Sequence, residues 1–379
     1  MATAALVPPV ILVLLVLLVL LCAGCGSAPP RGRPAPPSPR PVLSRYETAT
    51  GRVINRDCGY SAPLPGKPAR SLWLFCDTAV LTRQGKEIGF PILGTGTAAQ
   101  GQYRPGRLPG VLTEVGSPGT RPAGAGVVPP RSFLPAPAGL TLPDSFLPCT
   151  GPGVYPARWF SGVTREPASG HLLISYDDYC VSGTNVFTPE AFGLLDYDPA
   201  ASTLASPAQV VTAPPGQRLP PRWVLGSPVF SGGYLYLFSG TGAFLARTPA
   251  AAASWQDAFT YQYWTGTGWS ASPDAATPLS GQATGAVWAG DFAAQGHGLV
   301  MIEQTSVAGD FSIWQAAAPT GPWHRIETGR VPCRAGIRQD SGGLCRALIG
   351  HPELSTRSEL LMSFFDPAQN HVEAVSYPW

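Results

Sequence analysis

Residues 56–78 read RDCGYSAPLPGKPARSLWLFCDT, and two segments of this stretch have the character of β-strands. The segment 72–77 (LWLFCD) is a short apolar run that ends in a polar residue. A stretch rich in Pro, Gly and Ser separates it from an earlier segment at 55–61, as expected for two strands joined by a turn. The stretch therefore predicts an inner strand, a turn and a second strand.

The same pattern recurs four more times along the chain. The further apolar runs are 172–178 (LLISYDD), 234–239 (YLYLFS), 298–304 (GLVMIEQ) and 360–366 (LLMSFFD). Their preceding inner strands are predicted at 157–163, 224–230, 283–292 and 347–354, and outer strands follow at 192–197, 243–247, 261–264 and 312–316. Strand groups that repeat about every sixty residues are typical of a propeller.

We therefore predict an all-β, five-bladed β-propeller over residues 46–379. A Pro- and Gly-rich insertion at 102–143, in or after blade 1, explains the longer first interval. The segment 48–54 is expected to supply the outer strand of the last blade, so that an N-terminal strand closes the ring. A two-sheet sandwich is the alternative fold.

The N-terminus has the features of an export signal. Residues 10–21 form an unbroken apolar run of the length found in signal peptides, and Cys22-Ala23-Gly24-Cys25 follows. Small residues before a cysteine resemble a bacterial lipobox, so we interpret 1–25 as a signal peptide with Cys25 as the lipidation site. An uncleaved N-terminal anchor is the alternative. The Pro-rich segment 26–45 is a predicted tether.

These features predict an extracytoplasmic protein, either lipid-anchored to the outer face of the bacterial cytoplasmic membrane or secreted. A net charge of +2 without a dense basic run argues against nucleic acid as a partner. We expect a monomer whose partners are the membrane, through the lipid anchor, and a polysaccharide or cell-wall glycan.

The remaining cysteines point to disulfides rather than to metal. An even number in an exported chain favours disulfide bonds, and six cysteines allow fifteen pairings. The simplest scheme joins sequence neighbours, as Cys58–Cys76, Cys149–Cys180 and Cys333–Cys345. Because no Cys/His spacing of the zinc type is present in the sequence, we predict no metal site of that kind.

Several fragments together carry a resemblance to a known family. RDCGYS…LWLFCDT, FLARTP…YQYWTGTGW, APTGPW and GHPEL…LLMSFFDP resemble the five-bladed glycosidase-type propellers of secreted bacterial proteins. They are most similar to a group of formerly unknown function, with RDxGxS…LWxFGDT in its first blade, whose relatives include endo-D-arabinanases acting on mycobacterial cell-wall arabinan. The resemblance implies hydrolysis of a glycan by Asp57 and Asp77. Cys58 and Cys76 depart from the family, in which glycines are usual at these positions.

The residues themselves give a geometric reason to pair these aspartates. If Cys58 and Cys76 are bonded directly across the hairpin, Asp57 lies opposite Asp77, and opposed Cβ atoms are about 4.5–5.5 Å apart. Two close carboxylates raise one pKa, and retaining glycosidases separate theirs by about 5–5.5 Å. An inverting pair of Asp57 and Glu353 across the funnel is the competing prediction. A third possibility is that the aspartates only cap turns.

Other residues are candidates for binding a substrate in the central funnel: Trp159, Tyr176, Asp177, Trp288 and His351. Calcium in the channel, held by Asp177 with Asp178, is the one cofactor considered. The leading functional prediction is glycoside hydrolysis. The alternatives are a non-catalytic glycan-binding or scaffolding lipoprotein, and a structural envelope protein whose funnel is filled by the 102–143 insertion.

Overall fold

The computed structural model consists of five antiparallel sheets arranged as the blades of a propeller. It describes residues 38–81, 93–118, 127–183, 186–205, 208–279, 285–334 and 343–379. The predicted signal peptide, its Cys25 and the tether up to residue 37 lie outside the described residues. The prediction of an all-β five-bladed propeller is confirmed.

The elements follow one another in regular order. The chain starts with strand β1 (Arg40–Pro41) and helix α1 (Arg45–Thr50). Blade 1 contains β2 (Val53–Leu64), β3 (Arg70–Leu81), β4 (Thr97–Gln102) and β5 (Thr113–Val115). Blade 2 contains β6 (Tyr155–Arg165), β7 (Leu172–Gly183), β8 (Val186–Asp198), β9 (Thr203–Leu204) and β10 (Ala208–Thr212).

Blade 3 contains β11 (Leu225–Ser231), β12 (Tyr234–Ser239), β13 (Leu245–Pro249), β14 (Gln262–Trp264) and β15 (Trp269–Ser270), with helix α2 (Ala252–Trp255) between β13 and β14. Blade 4 contains β16 (Ala286–Asp291), β17 (Leu299–Gln304), β18 (Asp310–Ala316) and β19 (His324–Arg330). Blade 5 contains β20 (Arg346–Gly350), β21 (Glu359–Asp366), β22 (His371–Pro378) and β1. Single 3₁₀ turns lie at Pro221–Trp223, Ala258–Thr260, Pro273–Ala275, Ala293–Gln295 and Pro352–Leu354.

The inner strands β2, β6, β11, β16 and β20 surround the axis. Each contacts the inner strand of the next blade, and β20 contacts β2, so the ring is closed. Apolar side chains of adjacent blades pack face to face, for example Leu74 with Ile174 and Met362 with Ile302. Each fully buried side chain of this size contributes roughly 1.5–3 kcal/mol.

An N-terminal strand closes the last blade, but it is not the predicted segment 48–54. Strand β1 pairs with β22 through Arg40↔Ala374, and its residues belong to the segment interpreted as a tether. The predicted segment is instead divided between the end of α1 and the start of β2. A capping box starts α1, because Ser44 Oγ accepts from the Glu47 N–H while the Glu47 carboxylate accepts from the Ser44 N–H.

The described part of the 102–143 insertion belongs to blade 1 and to its contact with blade 2. It supplies strand β5, and its Phe133 N–H donates to the carbonyl of Gly96. Phe133 packs against Phe160 and Tyr197 of blade 2, with ring centres 6.1 Å and 5.3 Å away. Phe133 therefore lies between blades 1 and 2. The described part of the insertion does not support the predicted alternative in which the insertion fills the funnel.

Three disulfides join Cys58 to Cys76, Cys149 to Cys180 and Cys333 to Cys345. Several disulfides in one chain are typical of proteins that fold in an oxidising compartment outside the cytoplasm. Among the described residues, no helix has the length and apolar character needed to cross a membrane.

Candidate active site

The blade 1 hairpin brings Asp57 and Asp77 to one region, and its two strands keep the predicted register except at Cys58. Arg56 pairs with Thr78, Cys58 with Phe75 and Tyr60 with Leu74, so the ladder shifts on both sides of Cys58. Cys58 is left-handed, with φ of 64°, and Gly59 has φ of 103°. The predicted direct opposition of Cys58 and Cys76 is therefore wrong, because irregularities of the β-bulge type interrupt the ladder on both sides of Cys58.

The disulfide holds the bulged segment against β3. Cys58 and Cys76 are bonded with a Cα–Cα distance of 5.5 Å, and each cysteine is adjacent in sequence to one of the aspartates. Asp57 and Asp77 remain close enough for the negative charge of Asp57 to raise the pKa of Asp77. The bulge thus changes the geometry of the pair and keeps its electrostatic coupling.

Asp57 is ion-paired across the closure of the ring. Nε and Nη2 of Arg346, at the start of β20, both lie 2.9 Å from Asp57 Oδ2. The Arg346 guanidinium lies over the ring of Phe365, 3.9 Å from its centre, which fixes its position. Asp57 Oδ1 is buried and has no hydrogen-bond partner within the protein. Asp57 therefore presents one bound and one unbound carboxylate oxygen.

Asp77 is held by two donors from blade 2. The Tyr155 hydroxyl donates to Asp77 Oδ2 at 2.5 Å, and the Trp159 Nε1–H donates to Oδ1 at 2.6 Å. Burial, and after it the charge of Asp57, raises the pKa of Asp77 to about 7, although these two hydrogen bonds and Arg346 act in the opposite direction. Asp77 is thus a carboxyl group that exchanges its proton near neutral pH.

Three more polar residues with shifted pKa values belong to strands β2 and β7: Tyr60, Asp177 and Tyr179. Burial raises the pKa of Tyr60, and the charges of Asp177 and Asp57 add to the effect. Burial also raises the pKa of Asp177 well above its ordinary value, with a further contribution from Asp178, and Asp177 Oδ1 has no hydrogen-bond partner. Burial raises the pKa of Tyr179 as well, and the charge of Asp177 adds to this effect. The surroundings of Tyr60, Asp177 and Tyr179 therefore disfavour additional negative charge.

The two neighbouring aspartates of β7 have different environments. Asp178 forms a two-point ion pair with Arg158, at 2.6 Å and 2.8 Å, and accepts from Gln209. This arrangement explains Asp178 as a structural residue of blade 2. Calcium requires six to eight oxygen ligands. In the described part of the chain, the one grouping of three potential ligand side chains is Asp57 with Cys58 and Cys76, whose sulfurs are already bonded to each other. Calcium in the channel stays a prediction.

Glu353 and His351 form a separate cluster around Ser61. Ser61 Oγ lies 2.6 Å from His351 Nδ1 and 2.5 Å from Glu353 Oε1. Burial lowers the pKa of His351 to about 3 and raises that of Glu353 to about 7. Ser61, Glu353 and Trp288 line a cavity of about 350 Å³.

This cluster contains Glu353, the second predicted carboxylate partner of Asp57. Ser61 follows Asp57 by four residues along β2, which corresponds to a distance on the order of 10 Å. The competing prediction of an inverting pair formed by Asp57 and Glu353 stays a prediction. Trp288 belongs with Glu353 in the separate cavity rather than with Asp57.

The other predicted substrate-binding residues differ in whether they lie near the aspartate pair. Trp159 is at the pair, where it donates to Asp77. Tyr176 is fully buried beneath Arg158, whose guanidinium is 4.5 Å from the ring centre, so it is a core residue and cannot contact a substrate. Sequence reasoning missed Tyr155 and Arg346. Tyr155 and Arg346 are each the first residue of an inner strand. A polar residue near the end of an inner strand can face the funnel, and this position in the sequence could have identified them as candidates.

Comparison with known proteins supports the fold. No family model and no curated protein matches the sequence. A proposed hydrolase from Bacteroides ovatus superimposes with a TM-score of 0.60 at 15% identity, covering 89% of this chain and 87% of that one.

Two further structures superimpose less well. The catalytic domain of a GH62 α-L-arabinofuranosidase from Coprinopsis cinerea has a TM-score of 0.47 at 10% identity, covering 89% and 96% of the two chains. A GH43 enzyme from Xanthomonas citri complexed with xylotriose has a TM-score of 0.45 at 9% identity, covering 90% and 89%. At 15% identity, the superposition on the proposed hydrolase from Bacteroides ovatus concerns the fold alone.

Proposed function

We propose that this protein is an exported glycoside hydrolase that cleaves a cell-wall or environmental polysaccharide with Asp57 and Asp77. The observation that carries the proposal is the pair itself: an ion-paired carboxylate beside a carboxyl group whose pKa is raised to about 7. Glycosidases need such an unequal pair, with one group protonated and the other charged near neutral pH.

The hydrogen bonds of Asp77 suggest how its proton would be delivered. The indole N–H of Trp159 can only donate, so Oδ1 must accept and the proton of neutral Asp77 lies on Oδ2. Tyr155 Oη is the partner of Oδ2 and can accept that proton while its own hydroxyl proton turns outward. Tyr155 would then pass a proton to the leaving oxygen and regain one from Asp77.

Asp57 fits the second role. Its Oδ1 has no hydrogen-bond partner and would act as the nucleophile once a bound substrate reaches it, while Arg346 holds Oδ2. In a retaining mechanism Oδ1 attacks the anomeric carbon as the leaving oxygen takes up the proton, and a water activated through Asp77 later releases the sugar.

We favour arabinan-like furanosides as substrates, following the family resemblance. We also propose a monomer attached to the membrane through a lipid on Cys25.

The test is product release from a panel of arabinan, mycobacterial arabinogalactan and xylan. Wild type should release oligosaccharides, whereas Asp57→Asn and Asp77→Asn should each lose at least a hundredfold of the activity. Asp274→Asn, at an exposed aspartate paired with Arg222 in blade 3, is the matched control and should keep full activity.

Equal product release by wild type and Asp57→Asn would remove Asp57 from the mechanism. Binding of a glycan without any release by wild type would instead favour the non-catalytic glycan-binding lipoprotein. Lipidation is tested separately, by mass spectrometry of the full-length protein isolated from membranes, with Cys25→Ser as the comparison.

A further inference from the structure

Three aromatic side chains extend outward from Asp77 along blade 2. Trp159, from β6, donates its Nε1–H to Asp77. The Tyr179 ring of β7 is 4.7 Å from Trp159, centre to centre. Phe187 of β8 lies 5.4 Å from Trp159 and 5.7 Å from Tyr179. Phe187 is therefore one aromatic ring removed from the carboxyl group of Asp77.

Phe187 is open to solvent although it is large and apolar. It is 48% exposed, and the neighbouring Val186 is 49% exposed. Its ring stands at 69° to Trp159 and 85° to Tyr179, so it does not lie flat over either. An exposed apolar surface that continues into a polar site commonly marks a place where a ligand binds.

The backbone beneath these rings is held firmly. Cys180, next to Tyr179, is bonded to Cys149 and pairs with Thr188, the neighbour of Phe187. A side chain on a fixed backbone loses less conformational entropy when a ligand binds than one on a loose loop. The position is therefore suited to recognition.

We propose that Phe187, backed by Trp159 and Tyr179, is a stacking subsite for a sugar residue of the polysaccharide adjacent to the one cleaved at Asp77. The inference rests on the proposed function. Sugar rings present an apolar face of C–H groups, and an aromatic ring offers a rigid apolar surface of matching size. The occupant is a glycan chain rather than a protein, because Trp159 contacts both Phe187 and the carboxyl group that would protonate the glycosidic oxygen.

The experiment compares the full chain with Phe187→Ala, Phe187→Trp and Phe259→Ala on the panel named above. Phe259 is the matched control, since it is 95% exposed but belongs to blade 3. Phe187→Ala should raise KM about three- to tenfold and leave kcat within twofold. Phe187→Trp should restore the wild-type KM, and Phe259→Ala should not change it.

A second measurement uses Asp77→Asn as a background that binds without cleaving. Its affinity for the same polysaccharides, by calorimetry, should fall about three- to tenfold when Phe187→Ala is added. Wild-type cleavage with KM and affinity unaffected by Phe187→Ala would overturn the subsite and leave the proposed function standing. Binding without cleavage that still depends on Phe187 would refute hydrolysis and keep the subsite. Neither cleavage nor binding of any glycan would refute both.

Discussion

The proton of Asp77 is the residue-scale feature on which the proposed chemistry depends. Its pKa is raised to about 7, so the protonated form is present below pH 7 and is lost as the pH rises through that value. We therefore expect kcat/KM to fall about tenfold per pH unit above pH 7. Rate profiles between pH 4 and 10 on the preferred glycan would measure this limb. A constant rate from pH 6 to 9 would remove Asp77 as the acid.

Tyr155 provides the second residue-scale prediction. Tyr155→Phe removes the hydroxyl bonded to Asp77 Oδ2, which in the proposed mechanism passes the proton to the leaving oxygen, so kcat should fall roughly ten- to a hundredfold on glycans with poor leaving groups. On 4-nitrophenyl glycosides, whose leaving group needs little protonation, the loss should be under threefold. Tyr234→Phe in blade 3 is the control. An equal loss on both substrates would show that Tyr155 acts only structurally.

At the scale of elements, the disulfide of the first hairpin should matter for chemistry as well as for stability. Replacing Cys58 and Cys76 by serine should lower the free energy of unfolding by roughly 3 kcal/mol. Release of the bulge should also let the carboxylates separate, and the pKa of Asp77 should move towards its ordinary value. The alkaline limb of the rate profile would then shift to lower pH.

The matched control removes Cys149 and Cys180 by the same substitution. It should lower the stability by a similar amount but leave the alkaline limb in place, because that disulfide contacts neither aspartate. Identical rate profiles for the two variants would show that the first disulfide does not set the geometry of the pair.

The same hairpin shows where sequence reasoning stops. The apolar runs at 72–77 and 360–366 predicted strands that the structure confirms, because burial on both faces leaves a continuous apolar pattern. The register of this hairpin was also predicted, but the one-residue slip at Cys58 was not. A left-handed Cys58 is uncommon for a residue with a side chain, and no local composition announces the bulge it forms.

At the scale of the whole molecule, the ring and the five blades follow from the repeats, but the contacts across it do not. Arg346 and Asp57 are 289 residues apart and meet because blade 5 returns to blade 1. A repeat pattern places both near the axis but does not say which polar residues face each other. The two-residue β1 was missed for a different reason, since a strand containing proline within a Pro-rich segment has no apolar alternation to detect.

Closure of the ring by β1 gives the last prediction. Val42, the residue after β1, is 6% exposed, its N–H donates to the Val372 carbonyl, and its side chain packs with Leu361 and Ala374 of blade 5. Val42→Asp in the full chain would bury an unpaired carboxyl group and should lower the free energy of unfolding by roughly 3 kcal/mol. Because blade 5 carries Arg346, product release at 37 °C should fall as well.

Val111→Asp is the control, since Val111 is 45% exposed and should tolerate the charge. Equal denaturant midpoints for the two variants would show that β1 does not stabilise the closed ring.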